Sequence, residues 1–406
     1  GYGYLIDALG DGVSAYHITP EVCIYDDDIA QTFSAFANNK IQGGRLEFGK
    51  NKQQLFFYEP FEDTHMQLNK IDQLPSHCQI ASNTNPIETF NAFASYMQTH
   101  YAFFDIYGVN WTETVAKNRT KVTKNMSDKA LFDVLSNMLE PIKDAHLSLQ
   151  GEVKGKEKVY RPERSLVGDA TFNIAKQKWT SKSKIDQKLY EQYWFDDIER
   201  KILNRDGEMA ANEKIQFGIT SNDIGYLAIA STYDYAAKGL HHNAEDKAIL
   251  NQVLDDALTL FNKQKVKAVI IDLSINFGGH SFPATDIASR FTKQKTLAYT
   301  KRAYNSVGLE DDPIYVKPSH QPSFYGPVYM LGANVTVSGG EEIVLALKAL
   351  PNVTFIGERT RGGLSDILDK VLPNGWSIGL SNEIYTDQNG KVWEGDGIKP
   401  DQEIII

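Results

Sequence analysis

Ser338 lies in the stretch TVSGGEE, where a serine is followed directly by two glycines. The apolar run at 328–331 predicts a short buried strand before it, and residues 343–350 predict a buried helix after it. Ser338 therefore stands where a strand gives way to a helix. A serine at this position can be a helix N-cap. It can also be a nucleophile, because the free N–H groups of Gly339 and Gly340 could stabilise an oxyanion beside it.

A second pair of glycines follows the apolar run VKAVIIDLS, which is typical of a strand covered on both faces. The chain continues as Asn276-Phe277-Gly278-Gly279. Backbone N–H groups of Gly278 or Gly279 would be held rigidly by the preceding strand, as donors to an oxyanion must be. His280 comes next, and we expect it to contact the substrate of any site built on these glycines.

His146 is the candidate base. A helix predicted at 127–139, with Ser127 as N-cap, leads into KDAHLSL and places His146 just beyond a loop, at the start of a strand. An imidazole can take a proton from a serine and return it to a leaving amine, because its pKa is near neutrality. Taken alone, such a histidine is more often structural or solvated. His241 and His242, in a polar loop before a helix, fit the solvated interpretation.

Five stretches resemble, in chain order, motifs of the C-terminal processing and tricorn-type serine peptidases. KDAHLSL is similar to the tricorn-type Asp-Gly-His segment. The others are KAVIIDLSINFGGH, TVSGGEE, IGERTRGG and a closing segment that ends in EGDGIKPD. The resemblance implies an α/β fold with a layered core related to the crotonase and Clp-protease folds. It also implies a serine-type endopeptidase that acts on peptides or unfolded proteins.

The resemblance assigns the nucleophile and the oxyanion hole. TVSGGEE looks like the family motif Ser-Ala-X-Glu, which makes Ser338 the residue that forms an acyl-enzyme. The oxyanion would bind the backbone N–H of Gly339 and that of Gly278 or Gly279.

The identity of the base separates the two branches of the family. The C-terminal processing branch uses a lysine on the glycine-rich turn after the serine, but here that turn reads Arg361-Gly362-Gly363. Arg361 cannot act as a base, because a guanidinium stays protonated and has no lone pair to offer. Lys370 lies several residues beyond the expected position. The tricorn-type branch uses a histidine, and His146 matches its place.

Glu394 falls where the tricorn-type acid lies, and the resemblance implies that it fixes the tautomer of the base and stabilises its cation. Asp396 is the alternative acid. The tricorn-type tetrad also has a serine just before its histidine, and here that position is Ala145. We therefore expect the acid to act on His146 directly, through water or through another hydroxyl.

Two other functions use a similar fold. The chain resembles the retinoid-binding modules of the photoreceptor matrix, so a non-catalytic binding protein for apolar ligands is the main alternative. A pure binder would have no need for Ser338, His146 and Glu394 together. A crotonase-like acyl-CoA enzyme is a further alternative, but a serine at a helix start favours acyl-enzyme chemistry.

The chain divides into four predicted parts. Residues 1–82 alternate between apolar and polar positions and predict a small β-rich domain. Residues 83–150 predict a helical segment that ends in the strand of His146. Residues 151–215 are rich in lysine and predict an insertion or lid with one helix, and 216–406 predict the α/β peptidase core. No PDZ domain is evident.

Composition restricts the partners. The chain has 406 residues, 42% of them hydrophobic, and a net charge of −10, which argues against a nucleic-acid partner. No apolar run is long enough to span a bilayer, and no nucleotide loop or metal-ligand spacing predicts a cofactor. No oligomeric state is predicted.

Cys23 and Cys78 are either a disulfide or two unrelated thiols. We favour the disulfide, which would imply a periplasmic or extracellular protein.

Overall fold

The computed structural model describes residues 1–8, 12–38, 44–50, 52–58, 65–78, 84–162, 187–239, 243–306 and 309–404. Within these ranges the chain forms five sheets and eight helices, the mixed α/β architecture that the sequence predicts. His241 and His242 lie outside the described residues, as does much of the predicted lid. None of the helices in these ranges combines the length and the apolar character that crossing a bilayer requires.

The N-terminal part contains two small antiparallel sheets with a helix between them. The first sheet consists of β1 (Tyr4–Asp7), β2 (Ser14–Ile18) and β3 (Cys23–Tyr25). The second consists of β4 (Arg45–Phe48), β5 (Gln54–Tyr58) and β6 (His65–Asn69). Cys23 and Cys78 form a disulfide, with their Cα atoms 5.0 Å apart, so the favoured pairing is confirmed.

Helix α1 (Asp27–Ala37) connects these two sheets and was not predicted from the sequence. It begins where the Asp26 carboxylate accepts a hydrogen bond from the N–H of Ile29. Phe33 and Phe36 on its buried face pack on Phe57, with ring centroids 4.8 and 4.1 Å apart. A helix cap and an apolar i, i+3 pair thus outweigh the strand-like alternation around them.

Three helices follow: α2 (Pro86–His100), α3 (Trp111–Arg119) and α4 (Asp128–Leu139). Asn85 caps α2 by accepting two backbone N–H groups, and Ser127 caps α4 as predicted. After α4 the chain reaches β7 (Ser148–Val153), which pairs with β8 (Lys156–Tyr160) and, on its other side, with β18 (Ser377–Ser381). β18 pairs in turn with β17 (Ile367–Val371). His146 lies in the bend directly before β7.

Helix α5 (Gln187–Lys201) packs on the central sheet. The seven strands of that sheet are β9 (Glu208–Ala210), β10 (Ile215–Ile219), β11 (Ile224–Ile229), β12 (Ala268–Asp272), β15 (Val328–Gly332), β16 (Val353–Gly357) and β20 (Gln402–Glu403). The strands from β11 onward run parallel, and β9 and β10 run antiparallel to their neighbours. As predicted, β12 is buried almost throughout.

The central sheet is covered by α6 (Asn243–Gln264), α7 (Phe282–Ser289) and α8 (Gly339–Lys348), whose apolar residues form the largest core cluster. A last sheet consists of β13 (Thr296–Ala303), β14 (Asp312–Val316) and β19 (Glu383–Asp387). β12 and β15 are parallel neighbours, with Asp272 opposite Leu331. The loops after them, which carry both glycine pairs and Ser338, therefore leave the same edge of the sheet, where α/β folds place their sites.

Candidate active site

Ser338 occupies the turn between β15 and α8 in a conformation that side-chain-bearing residues rarely adopt, with φ 56° and ψ −129°. Such a conformation costs about 1–3 kcal/mol and persists only where neighbours impose it. The Ser338 N–H donates to the Gly363 carbonyl (2.9 Å), and the Ser338 carbonyl accepts from Glu341 (2.7 Å) and Glu342 (3.1 Å). The half-buried side chain makes no cap hydrogen bond, so Ser338 is not a side-chain N-cap.

The glycine pair after β12 reaches Ser338. A Cβ added to Gly278 would lie 2.6 Å from the Ser338 Cβ, so only glycine fits there. The Gly278 N–H donates to the Asn276 carboxamide oxygen (2.9 Å), and the Asn276 amide donates to the Ile229 carbonyl (2.9 Å). No such bond occupies the N–H of Gly279 among the described residues. Of the two glycines considered from the sequence, Gly279 is the one with an available donor.

Thr232 separates the two predicted oxyanion glycines. Its side chain is fully buried, its N–H donates to the Gly278 carbonyl (2.9 Å), and its hydroxyl has no hydrogen-bond partner among the described residues. A Cβ on either Gly279 or Gly339 would lie 2.7 Å from this hydroxyl oxygen. This contact explains why Gly339 follows the serine where the family motif has alanine.

His146 adjoins the loop that holds Ser338. The preceding Ala145 packs on Gly363, where an added Cβ would lie 2.8 Å from the Ala145 Cβ. The ring of His146 hydrogen-bonds the backbone of Ser365, and its buried Nδ1 has no hydrogen-bond partner in the part of the chain that the structure describes. Gly363, whose carbonyl binds the Ser338 N–H, thus connects the two predicted residues. Ser338 and His146 therefore contact the same short loop, residues 361–365, from different parts of the chain.

The electrostatic surroundings of His146 are mixed. Burial is the largest influence and lowers the pKa of His146. The negative charges of Asp144 and Asp366 raise that pKa, and the positive charge of Arg361 lowers it. At neutral pH the imidazole is therefore mostly in the neutral form that a base requires.

Glu394 is buried and holds the same loop. Its Oε2 accepts hydrogen bonds from the N–H groups of Leu364 (2.9 Å) and Ser365 (3.0 Å), and its Oε1 has no hydrogen-bond partner among the described residues. His146 and Glu394 therefore meet through the backbone of Ser365. Burial, and then the charges of Asp144 and Glu341, raise the pKa of Glu394 well above its usual range.

Glu341 holds the first half of this loop. Its carboxylate accepts hydrogen bonds from the N–H groups of Gly362 (2.8 Å) and Gly363 (2.7 Å), and from the Thr360 hydroxyl. Burial outweighs these donors and raises the pKa of Glu341 to about 7. Glu341 and Glu394 together bind four successive backbone N–H groups, and this fixes the loop that contacts Ser338 and His146.

The other residues considered from the sequence lie in different surroundings. Lys370 is fully buried, and its Nζ donates to the carbonyls of Tyr2 (2.6 Å) and Gly3 (3.2 Å) in the N-terminal segment. Asp396 is largely exposed, 3.9 Å from Lys391. The ring of His280 stacks on Phe282, with centroids 5.9 Å apart. No cluster of ligating side chains in the described ranges could hold a metal ion.

Helix α5 of the predicted lid lies beside the glycine pair. The Tyr190 ring packs edge-on against Phe277, with centroids 6.0 Å apart, and Trp194 donates to the Asp272 carboxylate (3.2 Å). Tyr190 and Phe195 are buried, so these aromatic residues of the helix pack inward. The helix thus packs against Phe277, the residue that directly precedes Gly278 and Gly279.

Three residues with evident structural roles at this site were not singled out from the sequence: Asp144, Thr232 and Ser365. Asp144 was visible as part of the KDAHLSL motif. Thr232 and Ser365 carry no local signal, because their contacts arise only when distant segments meet.

Comparison with known proteins identifies the α/β core as a peptidase domain. Residues 223–404 match the model of peptidase family S41. The match agrees with the motifs, which resemble those of the C-terminal processing and tricorn-type serine peptidases.

Solved structures share the fold over most of the chain. A candidate peptidase from Parabacteroides merdae is 25% identical and has a TM-score of 0.60; the match covers 80% of this chain and 91% of that one. Mature CPAF is 12% identical, with a TM-score of 0.52, and the match covers 79% of this chain and 92% of that one. The similarity to CPAF is one of fold alone.

Proposed function

We propose that this protein is a serine endopeptidase that cleaves peptides or unfolded proteins through an acyl-enzyme on Ser338, with His146 as the general base. The observation that carries the proposal is the backbone of Ser338. The Ser338 backbone is strained, and the Ser338 hydroxyl caps no helix. The Ser338 N–H is nevertheless bound to the loop that also contacts His146. Strain of this kind clusters at functional sites.

Each step of acyl transfer has a group to perform it. His146 takes the proton of the Ser338 hydroxyl as the oxygen attacks the peptide carbonyl carbon. The resulting oxyanion accepts hydrogen bonds from the N–H groups of Gly339 and Gly279. His146 then gives the proton to the leaving amine. Water, deprotonated by His146, attacks the acyl carbonyl carbon, and the bond from that carbon to the Ser338 oxygen breaks. His146 returns the proton to this oxygen, which releases the acid and restores the Ser338 hydroxyl.

Glu394 supports His146 indirectly in this proposal. By binding the N–H groups of Leu364 and Ser365 it fixes the backbone that contacts the imidazole. His280, half-buried beside Gly279, is proposed to contact the substrate. Because burial lowers the pKa of His146, the acid limb of the activity profile is expected below the ordinary histidine pKa of about 6.5.

The test compares casein cleavage by the wild type, Ser338→Ala and His146→Ala. Exposed Ser221→Ala and His320→Ala serve as matched controls for the loss of each side-chain type. We expect both site variants to lose at least about 10³-fold in kcat, and the controls to keep wild-type rates. A fluorophosphonate probe should label the wild type on Ser338.

The outcomes separate the candidate functions. Cleavage by Ser338→Ala at the wild-type rate would overturn the nucleophile, and an active His146→Ala would overturn the base. If the folded wild type neither cleaves casein nor reacts with the probe, the peptidase proposal fails. The apolar-ligand carrier then becomes the function to test, by ligand binding.

We also propose that the protein works in the periplasm or outside the cell. Support comes from the Cys23–Cys78 disulfide, because such bonds persist in oxidising compartments. Alkylation of free thiols in intact cells, followed by mass spectrometry, would test this proposal. A chain from its native source with both cysteines alkylated would contradict it.

A further inference from the structure

The carboxylate of Asp144 is fully buried two residues before His146. Its Oδ1 accepts hydrogen bonds from the backbone N–H of His146 (2.8 Å) and from the Ser381 hydroxyl (3.0 Å). Its Oδ2 accepts a hydrogen bond from the Tyr101 hydroxyl (2.8 Å). The backbone N–H and the two hydroxyls can all donate, and donors on both oxygens stabilise the anionic form of a carboxylate. The geometry therefore suits a buried negative charge that is fixed to the backbone of the base.

Three elements build this pocket for Asp144. Tyr101 follows α2, Ser381 ends β18, and Asp144 itself lies in the loop before β7. Each contributes one hydrogen bond, so the position of the carboxylate is set by long-range folding. Charge-assisted hydrogen bonds of this kind are about twice as strong as neutral ones.

The surroundings of Glu394 disfavour a negative charge, unlike those of Asp144. Asp144 and Glu341 both disfavour a negative charge on Glu394, and its Oε1 lacks a hydrogen-bond partner among the described residues. A negative charge nearby disfavours the ionised form of a buried carboxyl group. Of this pair, Asp144 has the donors that stabilise an anion on both of its oxygens.

We propose that Asp144 is the positioning residue whose negative charge stabilises protonated His146 during acyl transfer, while Glu394 fixes the Ser365 backbone. The inference rests on the proposed function of Ser338 and His146. It assigns to Asp144 the charge role that the family resemblance gives to Glu394. The remaining charges that face His146 are Asp366, which is partly exposed and 3.7 Å from Lys301, and Arg361, which opposes protonation.

The test measures the titration of His146 directly, by NMR of ring-labelled histidine in the Ser338→Ala protein. Asp144→Asn keeps the shape of the side chain and removes its charge. We expect it to lower the pKa of His146, because the protonated imidazole loses a nearby anion. Glu394→Gln is the matched comparison and is expected to move this pKa less. Tyr101→Phe removes a neutral donor to Asp144. In this background Asp144→Asn should still lower the pKa of His146 more than Glu394→Gln does.

Activity gives the second measurement. In the protein with Ser338 intact, Asp144→Asn should lower kcat by about 10²-fold or more with little change in KM, since the imidazolium forms only along the reaction. The acid limb of its pH profile should move to lower pH, in step with the His146 titration. A merely structural role for Asp144 would not produce this shift.

The proposal is overturned if Glu394→Gln moves the His146 titration and Asp144→Asn does not. Should Asp144→Asn fail to fold, the carboxyl carbon of Asp144 can be followed by NMR in the otherwise intact chain. A protonated Asp144 at pH 7 would refute the inference as firmly. These titrations need no turnover, so an inactive wild type would count against the peptidase proposal and not against Asp144.

Discussion

Replacing Gly339 by alanine tests the geometry around Ser338 most sharply. The family motif has alanine here, yet the added Cβ would lie 2.7 Å from the His280 carbonyl oxygen and 2.7 Å from the Thr232 hydroxyl oxygen. A third contact, with the Gly279 carbonyl oxygen, would be 3.2 Å. Carbon and oxygen atoms do not approach this closely in a packed interior. The backbone of residue 339 would therefore have to shift by roughly half an ångström, which is the tolerance of a preorganised site.

The expected cost follows from what this backbone does. If the N–H of Gly339 is an oxyanion donor, its misalignment should lower kcat by about 10²–10³-fold, or about 2.7–4 kcal/mol of transition-state stabilisation. KM should change little, because the oxyanion exists only beyond the ground state. Overpacking should also lower the free energy of unfolding by about 1–3 kcal/mol.

The assay is steady-state hydrolysis of a fluorogenic peptide, with urea unfolding measured on the same samples. Gly12→Ala is the control, because a Cβ there meets no atom within 4 Å. Wild-type kcat in Gly339→Ala would refute the reasoning: either the contacts with Thr232 and His280 relax at no cost, or the Gly339 N–H does not bind the oxyanion.

Two predictions concern stability. Burial and the charge of Lys370 lower the pKa of His17 to about 4, so the unfolded chain takes up a proton below about pH 6.5 and the folded chain does not. Through this group the free energy of unfolding should fall by roughly 3 kcal/mol as the pH drops from 7 to 4. In urea titrations, His17→Gln should remove this part of the pH dependence. An equally steep pH dependence in the variant would contradict the assignment. Reduction of Cys23–Cys78 should lower the free energy of unfolding by about 2–4 kcal/mol, and an unchanged urea midpoint after reduction would show that the bond contributes nothing.

The sequence predicts those elements of the site whose position depends on neighbouring residues in the chain. The continuous apolar run of β12 and the turn residues after it predicted a buried strand that ends in a glycine pair. The strand-to-helix position of Ser338 followed in the same way from the runs on either side of it. In contrast, α1 was missed because its cap and its contact with Phe57 outweigh the alternation of the surrounding residues.

Hydrogen bonds between side chains of distant segments could not be predicted from the sequence, because they form only when those segments pack together. The choice between Gly278 and Gly279 depends on the Asn276 side chain, which occupies one of the two N–H groups. The surroundings of Asp144 depend on the pairing of β7 with β18, which come from opposite halves of the chain. Glu394 was found only through a family motif, and its contact with the Ser365 backbone was not foreseen.

The pairing of β7 with β18 also determines when the site can first exist. His146 directly precedes β7, and the loop that binds the Ser338 N–H directly precedes β17. Both residues can therefore contact this loop only after strands from opposite halves of the chain have paired. Pairing of segments so distant in the chain is intrinsically slow, because the entropy of loop closure is lost before the contacts form. Under the proposed function, a partly folded or nascent chain would lack an activated serine and would not cleave its neighbours. Proteolytic activity should then appear only after this pairing.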